Sequence, residues 1–333
     1  MAKWQFTKGL HDIGGGCWAW LQPNGGWGWS NAGLITDGDA TLLVDTLFDL
    51  KLTAEMLAAM RASVPQADSI GILVNTHANG DHTFGNQLVK DARIIGSEGT
   101  AEEFSHVPPT VFQDMVVNPG AHGRAGEFVA ECFCPFDYSG IVLTPPTEVF
   151  SGEMMVMVGD KKVQLLEVGP AHTKGDTLVY LPDEKIVFTG DILFNEGTPI
   201  AWAGPVANWI RACERILELD VDVIVPGHGP IADKAAVKTM RDYLIYVYDE
   251  SRKRYDAGMD FLAAAYDIEL GEYASWDASE RLIVTVQTLF DEYADASVPE
   301  RAPIPYFEFM KDFRLKHGFG TVHGDPCPCG RVH

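Results

Sequence analysis

Thr76-His77-Ala78-Asn79-Gly80-Asp81-His82 follows, after Asn75, the stretch Ile70-Gly71-Ile72-Leu73-Val74, a run that is apolar on both faces. A short continuous apolar run reads as a strand buried on both sides, and α/β sheets place ligands at the carboxyl ends of such strands. His77, Asp81 and His82 thus emerge within six residues at that favoured edge. Imidazole and carboxylate are the usual ligands of zinc and similar divalent ions. Gly80 is expected to turn the backbone sharply enough to converge them.

Upstream, β-rich residues 17–21, 33–36 and 41–45 are separated by Pro23-Asn24-Gly25-Gly26 and Asp37-Gly38-Asp39 and read as an antiparallel meander. A helix is expected over 51–63. Downstream, a second cycle of strands covers 154–158, 162–168, 177–181, 185–189 and 222–225. Val206, Trp209, Cys213 and Ile216 mark one helical apolar stripe, which makes Cys213 a core residue, and Val237, Met240, Leu244 and Val247 mark another. Two strand-rich blocks, each closed by helices, predict an α/β fold with two sheets packed face to face. Residues 106–146 interrupt the pattern with Pro, Gly and Phe and read as an insertion, a lid or a subunit contact. The expected division is a main domain, 1–256, carrying that insertion, and a C-terminal extension, 257–333, helical through Tyr293 and irregular thereafter.

Three later segments each set a candidate ligand just past a strand: Gly169-Pro170-Ala171-His172-Thr173-Lys174-Gly175-Asp176, Thr189-Gly190-Asp191, and Val225-Pro226-Gly227-His228-Gly229. A single His or Asp in a turn is usually a cap or a solvated group. Their ordered co-occurrence with the first motif makes a shared site the better reading.

As a set, these segments resemble the successive metal-binding motifs of the metallo-β-lactamase superfamily, over residues 15–232. The family pattern His-x-His-x-Asp-His, then His, a bridging Asp and a last His, is met at six of seven positions. Asp45-Thr46 resembles the family's early Asp-Thr/Ser signature, which supports the metal loop. The resemblance implies an αββα four-layer sandwich, two mixed sheets face to face with helices outside. It implies one metal site from His77, position 79 and His172, a second from Asp81, His82 and His228, and Asp191 bridging them. Position 79 is Asn, whose amide oxygen is a poorer zinc ligand than imidazole. One tightly held ion, zinc with Mn or Fe as alternatives, is therefore expected at Asp81, His82, Asp191 and His228. His77, His172 and Asn79 would line a weak or empty first site.

The implied activity is that of a metallo-hydrolase using a metal-bound hydroxide. Its substrate would be a small neutral, aromatic or apolar molecule with an ester, lactone, thioester, amide or activated carbon-halogen bond. Asp81 or Asp191 would orient that hydroxide or accept its proton, and His77 or His172 would serve as acid, base or hydrogen-bond donor. β-Lactamases of the family mostly carry Cys at the position of Asp191, which points away from antibiotic hydrolysis. The alternatives are a metal-dependent lyase or cyclase, and a catalytically decayed metabolite-binding protein.

Composition bounds the partners. With 25 basic and 47 acidic residues the formal charge is −22, which disfavours nucleic acid and anionic membranes. No stretch approaches the roughly 20 apolar residues of a membrane helix, the N-terminus lacks a secretory apolar segment, and six cysteines in 333 residues are too sparse for a disulfide scaffold. A cytoplasmic protein without structural disulfides, forming a homodimer or larger homo-oligomer, is expected. Gly14-Gly15-Gly16 lacks the flanking strand and helix of a nucleotide site, so no organic cofactor is expected. Trp18, Trp20, Trp27 and Trp29 read either as a wall over the site or as core, and Phe133, Phe136 and Tyr138 as lid or dimer contacts. Cys132, Cys134, His323, Cys327 and Cys329 offer a second zinc site or a reduced tail.

Overall fold

The computed structural model describes residues 4–294 and 303–317. One sheet holds β1 (Gly9–Gly14), β2 (Cys17–Leu21), β3 (Ala32–Asp37), β4 (Ala40–Val44), β5 (Ile72–Val74), β6 (Arg93–Ser97) and β7 (Glu148–Phe150), neighbours in that order. Pairing is antiparallel from β1 to β4 and parallel from β4 to β7. The second sheet holds β8 (Glu153–Val158), β9 (Lys161–Glu167), β10 (Thr177–Leu181), β11 (Ile186–Phe188) and β12 (Val223–Val225). Only its last pair, β11 with β12, is parallel.

Strand alternation sorts side chains into layers. Ile35, Leu42 and Val44 of the first sheet meet Val163, Leu165, Val179 and Leu181 of the second in a dry core between the sheets. Leu34, Leu43, Leu73 and Ile94 point the other way, onto Met56, Leu57 and Met60 of α1 (Leu50–Ser63). Leu178, Tyr180, Val187 and Ile224 face outward from the second sheet into a cluster with the later helices. The result is the four-layer αββα sandwich, with mixed sheets inside.

The short α2 (Gly80–Thr83) and α3 (Glu98–Glu103) follow β5 and β6. The 106–146 segment forms α4 (Pro109–Val117) and α5 (Gly123–Phe133). Phe112, Phe133, Phe136 and Tyr138 from it pack around Phe48 at centroid distances of 5.4, 5.6, 4.9 and 5.2 Å. Phe133, Phe136 and Tyr138 bury against their own chain. The amphipathic α6 (Val206–Glu218) and α7 (Lys234–Asp256) cover the second sheet, and Cys213 is buried there as expected.

The C-terminal part departs from the sequence reading. The stretch after Ala257 is not one continuous helical run: α8 (Phe261–Asp267) and α9 (Leu282–Tyr293) are separated by short 3₁₀ turns and a left-handed Ala278, φ 57°. Residues expected to be irregular form α10 (Ile304–His317). Pro305 sits in its first turn, where the missing N–H has no helical partner to lose. Phe307, Met310 and Phe313 then bury on its inner face. Cys17 and Cys213 are free thiols; His323, Cys327 and Cys329 lie outside the described residues. No helix among the described residues is long and apolar enough to cross a membrane.

Candidate metal centre

The six candidate ligands come from loops at one edge of the sandwich. His77, Asp81 and His82 follow β5; His172 lies between β9 and β10; Asp191 follows β11; His228 follows β12. The tertiary fold brings them together. His77, His172 and Asp191 form one buried group, and Asp81, His82 and His228 a second, with ligand atoms in each within 4.8 Å of one another. Asp191 sits between them: its carboxylate lies 3.2 Å from His82 Nε2, 3.4 Å from His172 Nε2, 3.4 Å from His228 Nε2 and 3.8 Å from His77 Nε2. Asp81 reaches His228 Nε2 at 3.3 Å.

Second partners fix the histidine tautomers. Ile200 carbonyl can only accept, so His172 Nδ1 carries the proton of their 2.6 Å bond. His82 Nδ1 donates to Asp45 Oδ2 at 3.0 Å. Thr76 Oγ1 donates to Asp45 Oδ2 at 2.7 Å, which leaves its lone pair to accept from His77 Nδ1 at 3.0 Å. Each Nε2 is thereby left with a lone pair aimed at the centre when the ring is neutral. Indeed Nε2 of His77, His82 and His172, and Asp191 Oδ1, are buried without a hydrogen-bond partner. Orphaned lone pairs of this kind are what a divalent cation satisfies, and the donor set of imidazoles and carboxylates fits one.

Asp45, placed at the end of β4, is 2% exposed and has φ 61°, a left-handed conformation that Asp tolerates better than most residues. That turn carries its carboxylate onto Thr76 N, Thr76 Oγ1 and His82 Nδ1 together. Asp176 holds the His172 loop by accepting from Thr173 N and Thr173 Oγ1 at 2.9 and 2.7 Å. Gly227 is required by close approach, since a Cβ there would stand 2.0 Å from Asp191 Oδ1. Gly80 is different from expectation. Its φ is not positive, and it is glycine because a Cβ would fall 2.5 Å from the Phe84 ring. Asn79 lines the cavity, and its side chain makes no capping bond to α2.

Electrostatics divide the two groups. Burial holds His77 well below the usual imidazole range and lowers His172 as well. Burial pushes His82 and His228 the same way, but Asp191 and Asp81 outweigh it and raise both. The carboxylates resist burial in turn: His82 and His228 hold Asp81 down at about 2, and His228 and His82 hold Asp191 well below the usual range. A concentration of negative charge that draws protons onto its own histidines is a site short of positive charge.

Asp81, His172, Asp191 and His228 form the floor of a cavity of about 150 Å³. Its walls include Trp27, Phe48, Phe112, Phe133, Phe194 and Phe307. Of the four N-terminal tryptophans only Trp27 lines this cavity; Trp20 is buried against α1 and Trp29 packs 4.8 Å from Phe136. Phe194 and Arg281, which the sequence reading did not single out, also line it. The available signal was the pair Glu280-Arg281 abutting α9, a helix buried on nearly every side.

A model of the metallo-beta-lactamase superfamily matches residues 25–228. The chain is 26% identical over 204 residues to 2,4-dinitroanisole O-demethylase subunit alpha of a Nocardioides species, covering 59% of this chain and 51% of that protein. It is 24% identical over 215 residues to the bovine (Bos taurus) acyl-coenzyme A thioesterase MBLAC2, covering 60% of this chain and 72% of that protein. The fold is similar to that of the inverting sec-alkylsulfatase Pisa1 from a Pseudomonas species, with a TM-score of 0.67, 14% identity, and 86% and 50% of the two chains covered. The chain thus spans about half the length of the demethylase subunit and of the sulfatase.

Proposed function

Because the chain belongs to the metallo-beta-lactamase superfamily, we propose that it is a metal-dependent hydrolase of a small substrate with an aromatic or apolar body. The observation that carries this reading is the set of unpartnered buried atoms on His77, His82, His172 and Asp191, of which His172 and Asp191 line an aromatic-walled cavity. Asp81, His82, Asp191 and His228 would hold the principal ion. His77, His172 and Asp191 would hold a second one weakly, for want of an imidazole at Asn79. A divalent ion bound there supplies Lewis acidity toward a substrate oxygen and lowers the pKa of a water toward about 7.

The chain's own groups divide the remaining work. Asp81, held at about 2, stays a carboxylate across the working pH range and orients a donor more readily than it keeps a proton. His77 and His172 have their Nδ1 protons committed to Thr76 Oγ1 and Ile200 carbonyl. Their Nε2 atoms therefore accept rather than donate, which disfavours either as a general acid. The aromatic walls bind the substrate body and exclude bulk water, which strengthens every polar interaction at the floor. A relative named as an acyl-coenzyme A thioesterase supports cleavage of thioester bonds.

The test joins metal analysis to turnover of a panel of aryl esters and thioesters in oxygen-18 water. Metal-dependent cleavage with solvent oxygen in the product is expected. A lyase or cyclase would leave the product unlabelled. Full activity in Asp191→Asn or His228→Ala would refute the assignment of the site.

A further inference from the structure

Arg281 is a buried cation in an acidic protein that forms no ion pair among the described residues, although Glu280 and Asp277 lie near enough to support its charge. It is 2% exposed and lines the cavity that holds the metal-site residues. Its guanidinium carbon lies 4.3 Å from the Trp27 ring centroid and 5.2 Å from that of Phe194, so two aromatic faces fix its plane. Nη1 donates to the Thr198 carbonyl at 3.2 Å. Nε has no partner, and among the described residues Nη2 makes no hydrogen bond. The neighbouring Glu280 is turned away: it accepts from Arg314 Nη2 at 2.7 Å and from Trp27 Nε1 at 2.8 Å.

The unused edge, Nε with Nη2, is the side of the fork that grips a carboxylate through two parallel hydrogen bonds. Burial presses the Arg281 proton affinity downward, while Glu280 first and then Asp191 and Asp81 support the charge. A cation bound at the ligands would offset Asp191 and Asp81, leaving Arg281 only the support of Glu280, whose carboxylate is already shared with Arg314. Burying a charge without a partner is strongly unfavourable, and a ligand anion removes that penalty.

We propose that Arg281 forms an oxyanion subsite, and that the substrate carries a carboxylate or a similar oxyanion beside its aromatic or apolar body. The claim rests on the hydrolase reading for the word substrate, but the subsite itself does not. Arg281 lies against Phe194, which also contacts the His228 ring, parallel to it within 4° at 5.1 Å, and the His172 ring at 5.6 Å. Arg281 and the ligands Asp81, His172, Asp191 and His228 line one cavity, so the acidic group and the reacting bond would belong to one small molecule. Arg281 also lies beyond the 25–228 family match, on the segment leading into α9. This specificity element is added by the C-terminal helices.

The test compares benzoate with benzamide, matched in shape and differing in charge, by calorimetry on metal-replete protein. The native chain is expected to prefer benzoate by at least about tenfold, or 1.4 kcal/mol. Arg281→Gln should abolish that preference at unchanged metal content, and Arg281→Lys should restore part of it. A native chain without the preference overturns the proposal, and this outcome needs no variant to fold. Retention of the preference in Arg281→Gln also overturns it, because the metal alone would then hold the anion. In the catalytic arm, kcat/KM for mono-4-nitrophenyl glutarate should exceed that for 4-nitrophenyl butyrate, and the ratio should fall toward one in Arg281→Gln. Benzoate selectivity without ester turnover would refute the hydrolase reading and leave the subsite standing.

Discussion

Replacing Asp45 by Asn separates folding from metal binding, because the two depend on different atoms of one side chain. Asn has nearly the same shape and tolerates the left-handed backbone at φ 61°. Its amide oxygen can still accept from Thr76 N, which is 2.8 Å from Asp45 Oδ1. The NH2 group then occupies the position of Oδ2, facing Thr76 Oγ1 at 2.7 Å and His82 Nδ1 at 3.0 Å. Two donors cannot share that contact, so His82 is driven to the tautomer with its proton on Nε2. That proton covers the lone pair aimed at Asp191. Loss of an outer partner of a metal-bound histidine typically weakens metal binding by about 10- to 100-fold. Loss of one or two charge-assisted bonds, partly replaced, costs about 1–3 kcal/mol of folding stability. Asp45→Ala is expected to be worse for stability, since it strands three buried donors, Thr76 N, Thr76 Oγ1 and His82 Nδ1, and puts Ala in a left-handed conformation. The assay is competition for metal against a calibrated chelator, run beside urea unfolding of the metal-free forms. An Asp45→Asn protein that folds and binds metal as tightly as the native chain would refute the argument.

Asn79→His supplies the imidazole the first group lacks, and a second metal equivalent is expected to survive dialysis; an unchanged count would show that position 79 is not what limits loading. Metal uptake at pH 7 is expected to release protons, because Asp191 and Asp81 raise His82 and His228 and the ion must displace those protons. Affinity should therefore rise with pH, while His77 and His172, lowered by burial, contribute no release. The metal-free protein behaves oppositely: the protonated His82 and His228 stabilise it at low pH, and that contribution is lost as pH rises through their raised values. The dependence of binding enthalpy on buffer ionisation measures the release, and a value of zero contradicts this electrostatic account. Gly227→Ala puts a methyl 2.0 Å from Asp191 Oδ1; about 1–3 kcal/mol of destabilisation and loss of metal are expected, and unaltered thermal midpoint and metal content would show that Asp191 is less tightly seated than its contacts imply.

Much of the centre was legible because its information is local. His77, Asp81 and His82 share one loop after a strand whose apolar run is unmistakable, and Asp191 and His228 follow the short apolar strands β11 and β12. The six side chains that meet are the six the motifs named. Asp45 was legible as part of a signature, but its grip on Thr76 and His82 was not. That contact depends on a single left-handed residue and on pairing between β4 and β5.

The short β6 and β7 escaped notice, since three to five residues carry too little pattern to stand out. The helix α10 was hidden by Pro305, and the fate of the four tryptophans depends on which face of β2 Trp18 and Trp20 occupy and on how the loop between β2 and β3 places Trp27 and Trp29. Local sequence, through strand alternation and ligand type, determined the layered class and the chemistry of the floor. Tertiary packing alone decided the walls and charge of the cavity, because Arg281 reaches Trp27 and Phe194 through contacts between segments distant in the chain, and such contacts leave no periodic trace.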